Sequence, residues 1–146
     1  VTFRMDERRD DCIYFSNRRW LLDAKEVFSL PHDFALRHLT SMREQRMGDF
    51  KPDLPDDLAE KTPDIVYEDM GVLHILEFGT RKLTLPMNLV EYYVKKLTKY
   101  TPLVQALTAM GVTVRFDILI VSRCAVVSSF EVPEEMCQRL CARYMA

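Results

Sequence analysis

The sequence predicts an α/β domain in which a central mixed β-sheet is flanked by helices. Three observations lead there. A hairpin pattern fills residues 64–79, a β-branched run that turns continuously apolar fills 112–122, and helically spaced stretches stand before, between and after them. The order is helices, hairpin, helices, strand, helix, which puts the sheet in the middle.

Residues 17–30 (NRRWLLDAKEVFSL) have mixed apolar spacing that includes a helix. A second helix is expected from about 31 to 46, where Phe34, Leu36, Leu39 and Met42 fall near helical spacing. Residues 49–63 hold three prolines and several acids, so they read as a loop with one helical turn at PDDLAE. The runs DIVYED and VLHILEF flank Met70-Gly71, and a glycine in a two-residue turn signals a hairpin. Pro86 suits the first position of a helix carrying Leu89, Val90, Tyr93, Val94, Leu97 and Tyr100 in one stripe. That helix is expected to stop at Pro102, with a short helix following up to Gly111. Residues 112–122 (VTVRFDILIVS) suit a strand buried on both faces, and residues 133–145 a closing helix behind Pro133.

The 146 residues suit one domain spanning 1–146, large enough for a core without staples. The opening VTFRMDERRDD has neither an initiator Met nor a signal sequence, and reads as an internal start cut from a larger protein. No apolar run approaches the roughly 20 residues a membrane span needs. A formal net charge of -2 argues against holding nucleic acid by charge alone. It leaves room for a carboxylate site whose positive charge arrives with bound cations. Cys12, Cys124, Cys137 and Cys141 lack zinc spacing and read as free, buried thiols of a reducing compartment.

With Met70-Gly71 as the turn, Asp69 pairs with Val72 and Asp64 falls opposite Glu77. Val66, Glu68, Leu73 and Ile75 share that face. Two opposed carboxylates on a largely apolar face repel and lose hydration, unless a cation sits between them. Hard divalent ions with oxygen ligands are the economical answer, and a solvated strand end is the alternative. Lys96 borders the apolar stripe of the following helix, with Lys99 one turn on. Its stem can be buried and its ammonium delivered to a neighbouring site, or the lysines can form a solvated basic face. His74 faces away from Glu77 by strand alternation. His32 and His38 are six residues apart, and spacing does not choose between them.

A proline-aspartate opening one strand, followed by an acid on the next, resembles the PD-(D/E)xK nuclease superfamily. The lysine of that pattern stands two residues after the acid, where this chain has Gly79. A lysine moved to the following helix resembles instead the cap-snatching endonucleases of bunyaviruses. The closest likeness is to the phlebovirus- and tenuivirus-like (phenuivirus-type) version at the N-terminal part of the large polymerase protein. The matching pieces are PHDF at 31–34, TPDI at 62–65, ILEFGT at 75–80, KKLTKY at 95–100 and the strand FDILIVS, in family order across residues from about 20 to 123.

The resemblance implies a PD-(D/E)xK-like core and a two-metal endoribonuclease using Mn²⁺ by preference or Mg²⁺. It selects His32 over His38 as a ligand and Lys96 as the catalytic lysine. It implies a first metal held by His32, Asp64, Glu77 and the Phe78 carbonyl, and a second by bridging Asp64 with Glu44. Asp49 is the rival to Glu44. The chain departs from the closest relatives at Gly79, where they carry Thr, which leaves open any role for Thr80. The implied substrate is single-stranded capped host mRNA, cut to prime viral transcription in the host cell cytoplasm. The implied partner is the remainder of the viral polymerase, and the isolated domain is expected to be monomeric. Two competing readings are a PD-(D/E)xK DNA nuclease and a degenerate nuclease fold kept as a binding module.

Overall fold

A computed structural model describes residues 2–4, 46–81 and 86–143. Its sheet contains β1 (Thr2–Arg4), β2 (Ile65–Asp69), β3 (Val72–Arg81), β4 (Val114–Ser122) and β5 (Ala125–Ser128) in the order β1-β5-β4-β3-β2. Only β3 and β4 run parallel; the other neighbours are antiparallel. The helices among the described residues are α1 (Met47–Phe50), α2 (Asp56–Ala59), α3 (Pro86–Ala109) and α4 (Glu134–Arg143). This is the mixed, helix-flanked sheet the sequence predicts. The parallel β3–β4 pair requires a crossover, and α3 supplies it.

The β2–β3 hairpin has the expected register, from Asp69 opposite Val72 to Ile65 opposite Leu76. Met70 (φ 49°) and Gly71 (φ 77°) both take positive φ, as a type I′ turn demands. Gly71 does so without penalty; Met70, 94% exposed, tolerates it with its side chain in water.

Strand alternation divides the core. Ile65, Leu76, Phe78, Leu119 and Val121 face Cys137, Leu140 and Cys141 of α4. On the other face Ile118, Ile120 and Val127 meet Leu89 of α3. Farther along that face Val66, Leu73 and Ile75 meet Tyr100, Leu103 and Leu107, with Met47, Leu54 and Leu58 closing the edge. The apolar run of β4 is thus buried on both sides. Among the described residues no helix is long and apolar enough to cross a membrane.

The structure departs from expectation at Pro102, which lies inside a single 24-residue helix instead of ending one. An interior proline costs about 3 kcal/mol through a lost amide and a clash with the preceding turn. Tyr100, Leu103 and Leu107 are all essentially fully buried around it. At roughly 1.5–3 kcal/mol for each large apolar side chain, their burial outweighs the break. The Thr101 hydroxyl also donates to the Leu97 carbonyl (2.6 Å) on the same turn.

Strands β1 and β5 were not expected. The β4–β5 connection has no glycine or proline. Its turn is held by the Ser122 hydroxyl oxygen, which accepts from the amides of Cys124 (3.3 Å) and Ala125 (3.2 Å). The PDDLAE turn and the C-terminal helix appear where expected. The helices expected over 17–30 and 31–46 lie outside the described residues, apart from Arg46, which is extended. Cys137 and Cys141 are free and buried, Cys124 is buried beside the Ser122 hydroxyl, and Cys12 lies outside the described residues. Burial pushes the Cys141 thiol up to about 12 and raises that of Cys137 as well.

Candidate active site

The hairpin places two acids together. Asp64 stands immediately before β2, and Glu77 lies within β3. The Asp64 amide donates to Glu77 Oε2 (3.2 Å), and the Phe78 amide donates to Asp64 Oδ2 (2.9 Å). These bonds continue the ladder by one rung, with side-chain oxygens as acceptors. Glu77 is only 2% exposed and is held on the α3 face beside its β4 neighbour Ile118.

Helix α3 brings the cation. Lys96 Nζ lies 3.6 Å from Glu77 Oε1, and the lysine side chain is 18% exposed. Its stem is buried on the face of α3 that meets the sheet, between Leu89 and Tyr100; of the stripe expected from sequence, Val90, Val94 and Leu97 are exposed, so the helix is rotated to turn Lys96 inward. One turn earlier, the Tyr92 ring centroid is 5.3 Å from the ammonium, and the tyrosine helps to raise the lysine's pKa.

Burial pushes the Asp64 carboxyl up to about 8, and its hydrogen bond to Glu77 and the charge of Glu77 act in the same direction. The Phe78 amide and the Lys96 ammonium oppose that rise without cancelling it. The Asp64 carboxyl therefore keeps its proton near neutral pH. Burial by itself would lower Lys96, but Glu77 and then Asp64 outweigh it, and the amine is held above its ordinary value. Lys96 is therefore an ammonium throughout the neutral range. Two oxygen-donor groups held this close favour a hard cation between them.

Of the residues singled out by sequence, Asp64, Glu77, Phe78 and Lys96 converge. His32, His38 and Glu44 lie outside the described residues. Asp49 is exposed on α1 and does not join the acid pair. His74 faces the other way and stacks on Tyr67, with centroids 4.6 Å apart and planes within 6°. Thr80 is exposed, while Gly79 is buried against α3. Among the described residues no three His, Cys, Asp or Glu side chains form a metal cage. Sequence reasoning missed Tyr92. Its signal was available in the i, i+4 spacing to Lys96, which stacks the two on one helix face.

Residues 18–145 match the family model described as the L protein N-terminus. No curated protein matches the chain. Two solved structures of Toscana virus cap-snatching endonucleases are similar to it, both at 21% identity and over 77% of this chain. Their TM-scores are 0.64 and 0.63, and the match covers 60% and 58% of their chains. A solved structure from work on Phenuiviridae cap-snatching endonucleases is similar at 21% identity and TM-score 0.63, over 83% of this chain and 61% of that one. The chain thus spans about three fifths of the length of each of these structures. With a family match across most of its length and this sheet beneath it, the chain belongs to the L protein N-terminus family and has the fold of the phenuivirus cap-snatching endonucleases.

Proposed function

We propose that the chain is a metal-dependent endoribonuclease that cuts capped host mRNA into primers for viral transcription. The observation that carries this reading is the convergence of Asp64, Glu77 and Lys96: two carboxyls tied through each other's strand amides, one of them fully buried, with an ammonium 3.6 Å from it. Such a pair is costly to keep for structure alone, because the same volume filled by apolar groups would avoid the desolvation.

The donor set suits Mn²⁺ or Mg²⁺. Asp64, Glu77 and the Phe78 carbonyl would hold a first ion together with His32, and Asp64 and Glu44 would hold a second. A histidine in the set favours Mn²⁺, since imidazole is the softer donor. Two such ions supply Lewis acidity and positive charge at a phosphodiester. The chain's own residues do the rest. The Phe78 amide fixes one oxygen of Asp64 and thereby its orientation. Glu77 orients the Lys96 ammonium, which meets the negative charge that builds on the scissile phosphate. The substrate is single-stranded RNA, and the domain works as part of a larger polymerase in the host cytoplasm while behaving as a monomer when isolated.

The test is a Mn²⁺ titration followed by melting temperature and by cleavage of single-stranded RNA, with Glu77→Ala alongside. Mn²⁺ should raise the melting temperature and switch on cleavage in the wild type, and do neither in the variant. A melting temperature unmoved by millimolar Mn²⁺ would sink the metal reading. Cleavage of duplex DNA in preference to RNA would reassign the substrate.

A further inference from the structure

Gly79 is two residues beyond Glu77 on the same strand face, where a side chain would project toward α3. A Cβ built there would lie 2.7 Å from Tyr92 Cε1, 2.9 Å from Ile120 Cδ1 and 3.4 Å from the Tyr92 hydroxyl. Real Cβ atoms do not approach carbon so closely. The Tyr92 ring therefore occupies the volume that any other residue at position 79 would need. The same ring flanks the Lys96 ammonium, 5.3 Å from the ring centroid.

We propose that Tyr92 is a positioning residue for Lys96, and that the absence of a side chain at Gly79 is what admits its ring. Glu77 holds the ammonium from the sheet side and Tyr92 from the helix side. With one anchor, a lysine on four rotatable carbons sweeps a wide arc; with two, it is fixed over the acid pair. A methyl group at position 79 would dislodge the ring and release the lysine without touching either carboxyl. The catalytic part of this inference rests on the proposed nuclease function, whereas the ordering of Lys96 does not.

Three variants test it: Tyr92→Phe, which keeps the ring and loses the hydroxyl; Tyr92→Leu, which loses the ring; and Gly79→Ala. The readouts are the ¹⁵N NMR order of the Lys96 ammonium in metal-free protein, the Mn²⁺-induced melting shift, and kcat and KM on single-stranded RNA. Gly79→Ala and Tyr92→Leu should each lower kcat roughly 10–100-fold with KM little changed, as misplacement of a reacting group does. The Lys96 ammonium should become as mobile as those of Lys95 and Lys99, while the Mn²⁺ shift persists. Tyr92→Phe, the variant safest for folding, should retain part of both order and rate. The double variant Gly79→Ala/Tyr92→Leu should be no worse than Tyr92→Leu alone, because both changes act through one ring. Wild-type order of Lys96 in Tyr92→Leu, or full additivity in the double variant, overturns the proposal. If the wild type cleaves no RNA, the nuclease function fails, and the Lys96 order still decides the positioning role.

Discussion

Replacing Asp64 by Asn should make the metal-free protein more stable while removing its chemistry. The sign follows from the direction of the pKa shift. The Asp64 carboxyl titrates near 3.8 when the chain is unfolded and at about 8 when folded. Below 3.8 both states hold the proton and nothing is lost. Between 3.8 and 8 the unfolded chain ionises while the folded one keeps its proton, so stability falls as pH rises, and it levels off above 8. At pH 7 the wild type therefore gives up as much as about 4 kcal/mol at roughly 1.4 kcal/mol for each pH unit. Lys96 does not blur the window, since its raised pKa costs stability only above 10.5. Asparagine has nearly the same shape. Its carbonyl can still accept from the Phe78 amide, and its NH₂ can donate toward Glu77 as the protonated Asp64 carboxyl does. Recovering even half of the loss, about 2 kcal/mol, raises the melting temperature by roughly 4–8 °C in a domain of this size. The assay is thermal unfolding of both proteins from pH 4 to 9 in chelator. The gap should open with pH in favour of Asp64→Asn, and added Mn²⁺ should reverse the order by stabilising only the wild type. Parallel pH profiles, or a variant less stable than wild type at pH 8, would refute the reasoning.

Mn²⁺ binding should displace the proton that Asp64 holds, so calorimetric heats near pH 7 should vary with the ionisation enthalpy of the buffer; buffer-independent heats count against a protonated Asp64. Lys96→Ala should abolish cleavage and leave the Mn²⁺-induced melting shift in place, and loss of both would make Lys96 structural. Met70→Asn should stabilise by about 0.5–1 kcal/mol, because asparagine is more at ease than methionine at the positive φ of this turn; denaturant unfolding checks it. Pro102→Ala should restore an amide to α3 and raise stability by up to about 3 kcal/mol; a loss in the same assay would mean that packing of Leu103 and Leu107 depends on the break.

The hairpin and its acid pair were legible because the code there is local. A two-residue turn and a period of two fix which residues face each other, and the register follows by counting. Lys96 was half legible. Its nearness to Tyr93 and Tyr100 hinted at a packed position, but Val90, Val94 and Leu97 of the expected stripe are exposed, and only the fold shows that the face carrying Lys96 lies over Glu77. Pro102 misled because a local breaker competes with burial supplied by distant residues, and burial wins. Strand β5 was hidden because a serine hydroxyl makes its turn. Tyr92 escaped because its meaning depends on a glycine 13 residues earlier, and no periodicity links a strand to the helix that crosses over it.

The ladder that presents the acids also guards them against error. Asp64 and Glu77 share their face with Val66, Leu73 and Ile75, all buried in the same cluster. A slip of one residue between β2 and β3 would part the acids, and it would also turn Val66 out of its cluster and Ile65 out of the opposite one. At roughly 1.5–3 kcal/mol for each such side chain, the misregistered hairpin is excluded on packing grounds alone. The apolar residues of β2 thus act as proofreaders: they reject misaligned chains on packing alone, before any metal or substrate is involved.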